Sequence, residues 1–287
     1  MRQFLLFLLC VVTLPGLARA EGIRVFCAEA LWCELASGLG GAVVETRSIL
    51  TSPRVDPHDF QVTPDMARAL ANSNIVVLTG GHYDDWVAPL LAAQPDKARH
   101  VIDAVSLVGL KDGDNPHIFD DPAAIRDVVD ALAAELVRRL PGEAGAIAAR
   151  QAQYRQAIDG IEHRLSALHP VTNGMKIAVA EPVGGPVFRA LGLDVIDPDF
   201  ALAMMTHSDP APQEVARLED ALRQKAVKIL VVNPAMTGPS LQRLVAIARQ
   251  SGVSIVEFDE FPVPGVSWRD WMTARLDRLT AALGVHG

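Results

Sequence analysis

Two histidines follow proline in short, acid-flanked turns: Asp56-Pro57-His58 and Asn115-Pro116-His117. Proline fixes its own φ near −65° and pushes the residue before it toward extended geometry, so the backbone aims each imidazole. A histidine held in this way is a candidate metal ligand. Two carboxylates share the rigid placement. Glu181 follows the apolar run Lys176–Ala180 and precedes Pro182; Glu260, with Asp259 before it, follows Ser254–Phe258 and is stopped by Pro262. Two imidazoles and two carboxylates suit a divalent first-row metal and carry no bias toward the thiolate sites that copper(I) favours.

These groups need a frame that brings strand ends together. Ile23–Cys27 reads as a buried strand, Ala28–Leu39 as a helix closed by Gly40-Gly41, and Val43–Leu50 as a second strand, which together make a parallel α/β unit. Further strands are expected at Ile75–Thr79 and His100–Ala104, with helices from Thr63-Pro64 to Ala71, up to Ala93, and from Asp120-Asp121-Pro122 onward. In the second half, Lys176–Ala180, Asp194–Ile196, Ile229–Asn233 and Ser254–Phe258 alternate with helices at Pro186–Leu191, Pro212–Gln224, Pro239–Gln250 and Trp268–Leu283. Between the halves, Ile147, Tyr154, Ile161 and Leu168 recur every seven residues, with Ile158 and Leu165 between them. The spacing predicts one helix over about 142–168, roughly 40 Å long, acting as a stiff connector. The fold class expected is α/β: two parallel-sheet lobes joined by a single long helix. The divisions are a signal segment 1–20, an N-terminal lobe 21–141, a connector 142–170 and a C-terminal lobe 171–287.

The signal segment is read from Arg2, the apolar run Phe4–Leu14 and Ala18-Arg19-Ala20, with cleavage after Ala20; a lipoprotein processing site at Cys10 would leave too short an apolar core. No later run reaches the roughly 18 uninterrupted apolar residues of a membrane span. An exported chain with no stable membrane insertion is expected. Its net charge is −8, and two units lower without Arg2 and Arg19, which disfavours nucleic acid and anionic membranes as partners. Cys27 and Cys33 then remain in an oxidising compartment; a disulfide is the preferred reading, with two free buried thiols as the alternative.

The chain resembles the metal-binding solute-binding proteins of zinc and manganese ABC importers, the periplasmic zinc-uptake type (cluster A-I). The resemblance spans essentially all of the chain after residue 20. It rests on Val55–Pro64, Gly80–Trp86, Asn115–Pro122, Glu181-Pro182-Val183 with Ala190–Leu193 behind it, and Asp209–Pro212. It implies two α/β lobes with one long connecting helix, a single zinc or manganese ion carried as ligand, an ABC-transporter permease as partner, a monomer and a periplasmic location. It also implies His58, His117, Glu181 and Glu260 as the metal ligands, with Asp259 as the alternative one register away. Two departures concern metal identity: the histidine-rich loop of zinc-dedicated members is absent, and the third ligand position is an acid. Harder oxygen ligands lean toward manganese or iron, whereas intrinsic affinity favours zinc.

Other polar residues have plainer readings. His82 and His207 lie on loops near the expected cleft and read as supporting or solvated; Asp84, Asp85, Asp120 and Asp121 read as caps and turns, and Met204-Met205 as lid or core packing. Two rival functions remain, an exported metal-dependent hydrolase and an organic-ligand-binding protein using Gly184-Gly185. HExxH and GxSxG are both missing, and Pro186 stands where a phosphate-binding loop needs free amides. Metal binding is expected to weaken toward pH 5 as protons compete for His58 and His117.

Overall fold

The computed structural model describes residues 22–58, 60–111 and 113–285. The expected signal segment, 1–20, lies outside the described residues. The first half contains β1 (Ile23–Glu29), α1 (Ala30–Gly40), β2 (Val44–Leu50), α2 (Pro64–Ala71), β3 (Ile75–Leu78), α3 (Val87–Ala93), β4 (His100–Asp103), α4 (Ala104–Leu107) and α5 (Pro122–Arg139). The connector is α6 (Ala144–Thr172). The second half contains β5 (Lys176–Val179), α7 (Gly185–Ala190), β6 (Asp194–Ile196), α8 (Pro198–Met205), α9 (Pro212–Arg223), β7 (Ile229–Val232), α10 (Pro239–Ser251), β8 (Ser254–Glu257) and α11 (Trp268–Leu283).

Both sheets are parallel and share one topology: β2-β1-β3-β4 in the first, β6-β5-β7-β8 in the second. The chain runs outward from the first strand of each sheet to one side, then returns to its other side. Such a reversal leaves a crevice at the carboxyl ends of the two central strands, where ligands of open α/β sheets bind. Glu29 ends β1 and Thr79 follows β3; Glu181 and Asn233 stand at the matching ends of β5 and β7. Strands buried on both faces read as continuous apolar runs, as Ile75–Leu78 and Ile229–Val232 do.

The connector is a single helix of 29 residues. It opens after a 3-10 turn at Pro141–Glu143, two residues later than the spacing predicts, and continues through Pro170 to Thr172. Proline so near the end removes one hydrogen bond of the last turns; beyond it the Thr172 hydroxyl lies 2.6 Å from Leu191 O and ties the helix end to the second half. Its heptad residues Ile147, Ile158, Ile161, Leu165 and Leu168 are buried in one cluster shared with Trp32 and Leu35 of α1 and with Leu276 and Leu279 of α11. The apolar core is therefore continuous across the lobes. Phe119 belongs to it, 5.5 Å from the Trp32 ring of the first half and 6.2 Å from the Phe261 ring of the second.

Cys27, in β1, is disulfide-bonded to Cys33, in α1, with Cα atoms 5.5 Å apart. Among the described residues no helix is long and apolar enough to cross a membrane. The short helices α4 and α8 are additions to the sequence expectation. Asp121 caps α5 by accepting from Ala123 N at 3.0 Å, as expected. Asp120 stands in the turn before α5, and its side chain is also buried, 2% exposed and ion-paired with Arg275 of α11 at 3.2 Å.

Candidate metal centre

Each proline turn is locked by the side chain two residues before its histidine. Asp56 Oδ1 accepts from His58 N at 2.8 Å, and Asn115 Oδ1 accepts from His117 N at 3.1 Å. Asp and Asn close such turns by bonding backbone two residues ahead, so each Asx-Pro-His run is a self-contained bracket for an imidazole.

The ring nitrogens are then assigned by their partners. His58 Nδ1 lies 3.1 Å from the carbonyl of His82, which can only accept, so Nδ1 carries the proton. His117 Nδ1 lies 2.7 Å from Asn115 Oδ1. The Asn115 amide is oriented by its own Nδ2, which donates to Pro182 O at 2.6 Å, so its oxygen faces His117 and Nδ1 is again the donor. Both Nε2 lone pairs are consequently free, and both atoms are buried without a hydrogen-bond partner. A buried polar atom left so demands an explanation, and an imidazole whose other nitrogen donates to a carbonyl is the usual arrangement of a metal ligand.

Glu181 completes the cluster. One ligand atom from each of His58, His117 and Glu181 lies within 4.8 Å of the other two. That mutually close set does not include Glu260, although Glu260 Oε2 is 3.9 Å from His117 Nε2. Asn233 Nδ2 donates to Glu181 Oε2 and to Glu260 Oε1, each at 2.5 Å, and the Tyr83 hydroxyl donates to Glu260 Oε2. Asp259 points elsewhere, paired with Arg278 at 3.2 Å, so Glu260 is the acid of that pair that faces the cleft.

Burial sets the charge state of the ion-free cluster. It lowers the His117 pKa to about 3, helped by the positive potential of His58 and Arg275, and it lowers that of His58. Burial, then the charge of Glu260, raises Glu181 to about 8; burial raises Glu260 to about 7 against the hydrogen bonds from Tyr83 and Asn233. Tyr83 is raised well above its ordinary value by the same burial and by the carboxylates around it. The His117 imidazole is thus neutral well below pH 7, burial shifts His58 in the same direction, and Glu181 and Glu260 are the groups that hold protons toward neutral pH. This moves the expected competition from the histidines to the acids.

Tyr83 and Asn233 are the residues the sequence reading passed over. Asn233 had the same signal as Glu181, a polar side chain at the carboxyl end of an apolar strand. Tyr83 sits in the glycine-broken loop after β3, where Asp84, 1% exposed, accepts from Thr79 N at 2.7 Å and Gly80 N at 2.8 Å. Gly80 has φ 78°, and a Cβ there would meet Asp103 Oδ1 at 2.3 Å, so only glycine lets the loop turn in tightly enough to bury Tyr83. His82 and His207 both have positive φ and lie on the rim, exposed, lining with His58 a mouth of about 630 Å³ between the lobes. His82 Nδ1 is 2.9 Å from Asp85 Oδ2, and His207 Nε2 is 3.4 Å from Asp56 Oδ2. Met205 lines the same mouth, while Met204 packs against the core of the second lobe. The Gly184-Gly185 loop is packed against its neighbours: a Cβ at Gly184 would strike Phe188 and Phe258 at 2.7 Å, and one at Gly185 would lie 3.1 Å from Asn115 Nδ2.

The sequence matches the family described as zinc-uptake complex component A, periplasmic, over residues 25–282. The chain belongs to that family. Among curated relatives it is 21% identical to the manganese-binding lipoprotein MntA of Bacillus subtilis over 256 residues, covering 86% of this chain and 82% of that protein. Its fold is that of the periplasmic zinc-binding protein TroA of Treponema pallidum (TM-score 0.77, 18% identity, 91% of this chain and 99% of that one). It is also that of the solute-binding protein FpvC of Pseudomonas aeruginosa, solved with Mn2+ (TM-score 0.74, 19% identity, 92% and 99%). Two parallel-sheet lobes and one long helix are thus the family's architecture, and a metal-binding component of a transport system is its class.

Proposed function

We propose that this protein is an exported carrier that binds one divalent transition-metal ion between its lobes and delivers it to the membrane permease of an ABC importer, without transforming it chemically. The ligands would be His58, His117, Glu181 and Glu260, two from each half of the chain, and zinc and manganese are the ions named for its relatives. The observation that carries this reading is the pair of buried, partnerless Nε2 atoms converging with a Glu181 oxygen. Two neutral imidazole nitrogens beside carboxylates that can ionise suit the capture of a cation. In solution the chain acts as a periplasmic monomer, cleaved after Ala20 and divided into a lobe at 21–141, a connector at 142–170 and a lobe at 171–287.

Metal analysis of protein purified without added metal, followed by calorimetric titration of metal-stripped protein with Zn2+ and with Mn2+, tests the proposal. One ion per chain for at least one of the two metals is expected. Protein that binds neither ion sinks the reading.

A further inference from the structure

Glu260 is held by two donors at once. The Tyr83 hydroxyl bonds its Oε2, and Asn233 Nδ2 bonds its Oε1 at 2.5 Å. The terminal torsion of a glutamate is otherwise soft, so a donor on each oxygen is what fixes the plane of the carboxylate. In the plane so fixed, Oε2 is the oxygen beside the cluster, 3.9 Å from His117 Nε2, while Oε1 faces Asn233. Tyr83 is itself packed on several sides: it is fully buried, its ring edge-on to His58 at 5.2 Å and to His117 at 5.6 Å, and 5.0 Å from Phe119. No packing need explains a hydroxyl at that position, since the aromatic contacts would be made equally by phenylalanine.

We infer that Tyr83 is a specificity-determining positioning residue: with Asn233, it restricts Glu260 to a one-oxygen contact with the bound ion and thereby selects for low coordination number. The inference rests on the one-ion reading above. With Glu260 so restricted, it adds one oxygen to the three mutually close atoms of His58, His117 and Glu181, making the four donors that satisfy tetrahedral zinc. Manganese prefers about six, mostly oxygen, and gains from a carboxylate that can turn both oxygens inward.

Tyr83→Phe keeps the ring and deletes only the tether. Competition titrations with Zn2+ and Mn2+ should show the zinc-over-manganese affinity ratio falling about tenfold or more. Co2+ loaded into the same variant should lose visible d–d absorption, which is strong for four-coordinate and weak for six-coordinate cobalt. Asn233→Ser releases the opposite oxygen of Glu260 together with Glu181 Oε2 and should move the ratio the same way, which provides a second test where Tyr83→Phe fails to fold. A wild-type ratio and a wild-type Co2+ spectrum in folded variants that still bind one ion overturn the inference. Failure of the wild-type protein to bind any ion overturns the carrier reading instead.

Discussion

Asp120 and Arg275 form a buried ion pair across the lobes, Oδ2 to Nη2 at 3.2 Å, with both side chains 2% exposed. Asp120 closes the loop that presents His117, and Arg275 projects from α11 with its guanidinium 4.1 Å from the centroid of Phe258 and 4.2 Å from that of Trp271. Two further bonds tie the same loop to the second half: Trp268 Nε1 to Phe119 O at 2.8 Å and Asn115 Nδ2 to Pro182 O at 2.6 Å. Removing one partner leaves a buried charge uncompensated, which costs about 3–5 kcal/mol. Asp120→Ala should therefore lower the thermal midpoint by several degrees, and it should also weaken metal binding because the His117 bracket loses an anchor. A stability loss with metal affinity unchanged would confine the pair to a structural role.

The two histidines should outweigh their neighbours. His58→Ala and His117→Ala each remove a free Nε2 donor, and affinity should drop by more than the 10–100-fold typical of supporting residues. The rise in thermal midpoint on adding metal should vanish with it, since a ligand that no longer binds the native state cannot stabilise it. His82→Ala and His207→Ala should retain most of both properties. Equal losses at all four positions in calorimetry and thermal scans would contradict this assignment.

Glu181→His exchanges an oxygen donor for a softer nitrogen. Zinc affinity should rise relative to manganese, by about tenfold, in paired titrations of wild type and variant. A ratio unchanged from wild type would show that Glu181 is not a ligand.

The pH dependence has a defined window. Glu181 and Glu260 have pKa values raised from 4.5 to about 8 and about 7, so their protonated forms stabilise the ion-free fold at low pH, and that stability is lost as pH rises through 7 and 8. His117 is lowered from 6.5 to about 3, so its contribution is complete above 6.5 and is lost only as pH falls toward 3. Between pH 6.5 and 8 the carboxylates dominate: the midpoint of metal-free protein should fall, while metal affinity should strengthen by up to about tenfold per pH unit for each proton displaced. Thermal scans and titrations at half-unit steps, with and without metal, check both slopes. An affinity that changes only below pH 6.5 would return the competition to the histidines.

Much of the site could be read from the sequence because proline writes geometry into it. Asp56-Pro57-His58 and Asn115-Pro116-His117 are local brackets, and Glu181 and Glu260 stand at strand ends stopped by proline; none of these needs tertiary information to be noticed. The frame was legible for a related reason, since the apolar runs of β3 and β7 and the heptad of α6 are periodic. Tyr83 and Asn233 were missed because their importance lies in what they touch, and Tyr83 meets Glu260 from 177 residues away. The turn at Asp120 and the cap at Asp121 are legible in Asp120-Asp121-Pro122, but only the fold shows that Asp121 bonds the start of α5 while Asp120 turns inward to Arg275. The helix α8 was missed because Pro198–Met205 is short and closely follows β6, leaving too few residues for a periodic pattern.

The shared strand order has a consequence for how the two halves relate. At the first crevice, Thr79 Oγ1 donates to Glu29 Oε2 at 2.8 Å; at the second, Asn233 Nδ2 donates to Glu181 Oε2 at 2.5 Å. An acid on the first strand and a small polar donor on the third thus occur in both halves, at equivalent places, although the halves share no recognisable sequence repeat. In one half the acid opens onto the cluster; in the other it is sealed, with Trp32 Nε1 donating to Thr79 Oγ1 at 3.1 Å and Glu29 wholly buried. The same strand order therefore serves two ends: in one half it turns a carboxylate toward the histidine cluster, and in the other it places a carboxylate beneath a tryptophan.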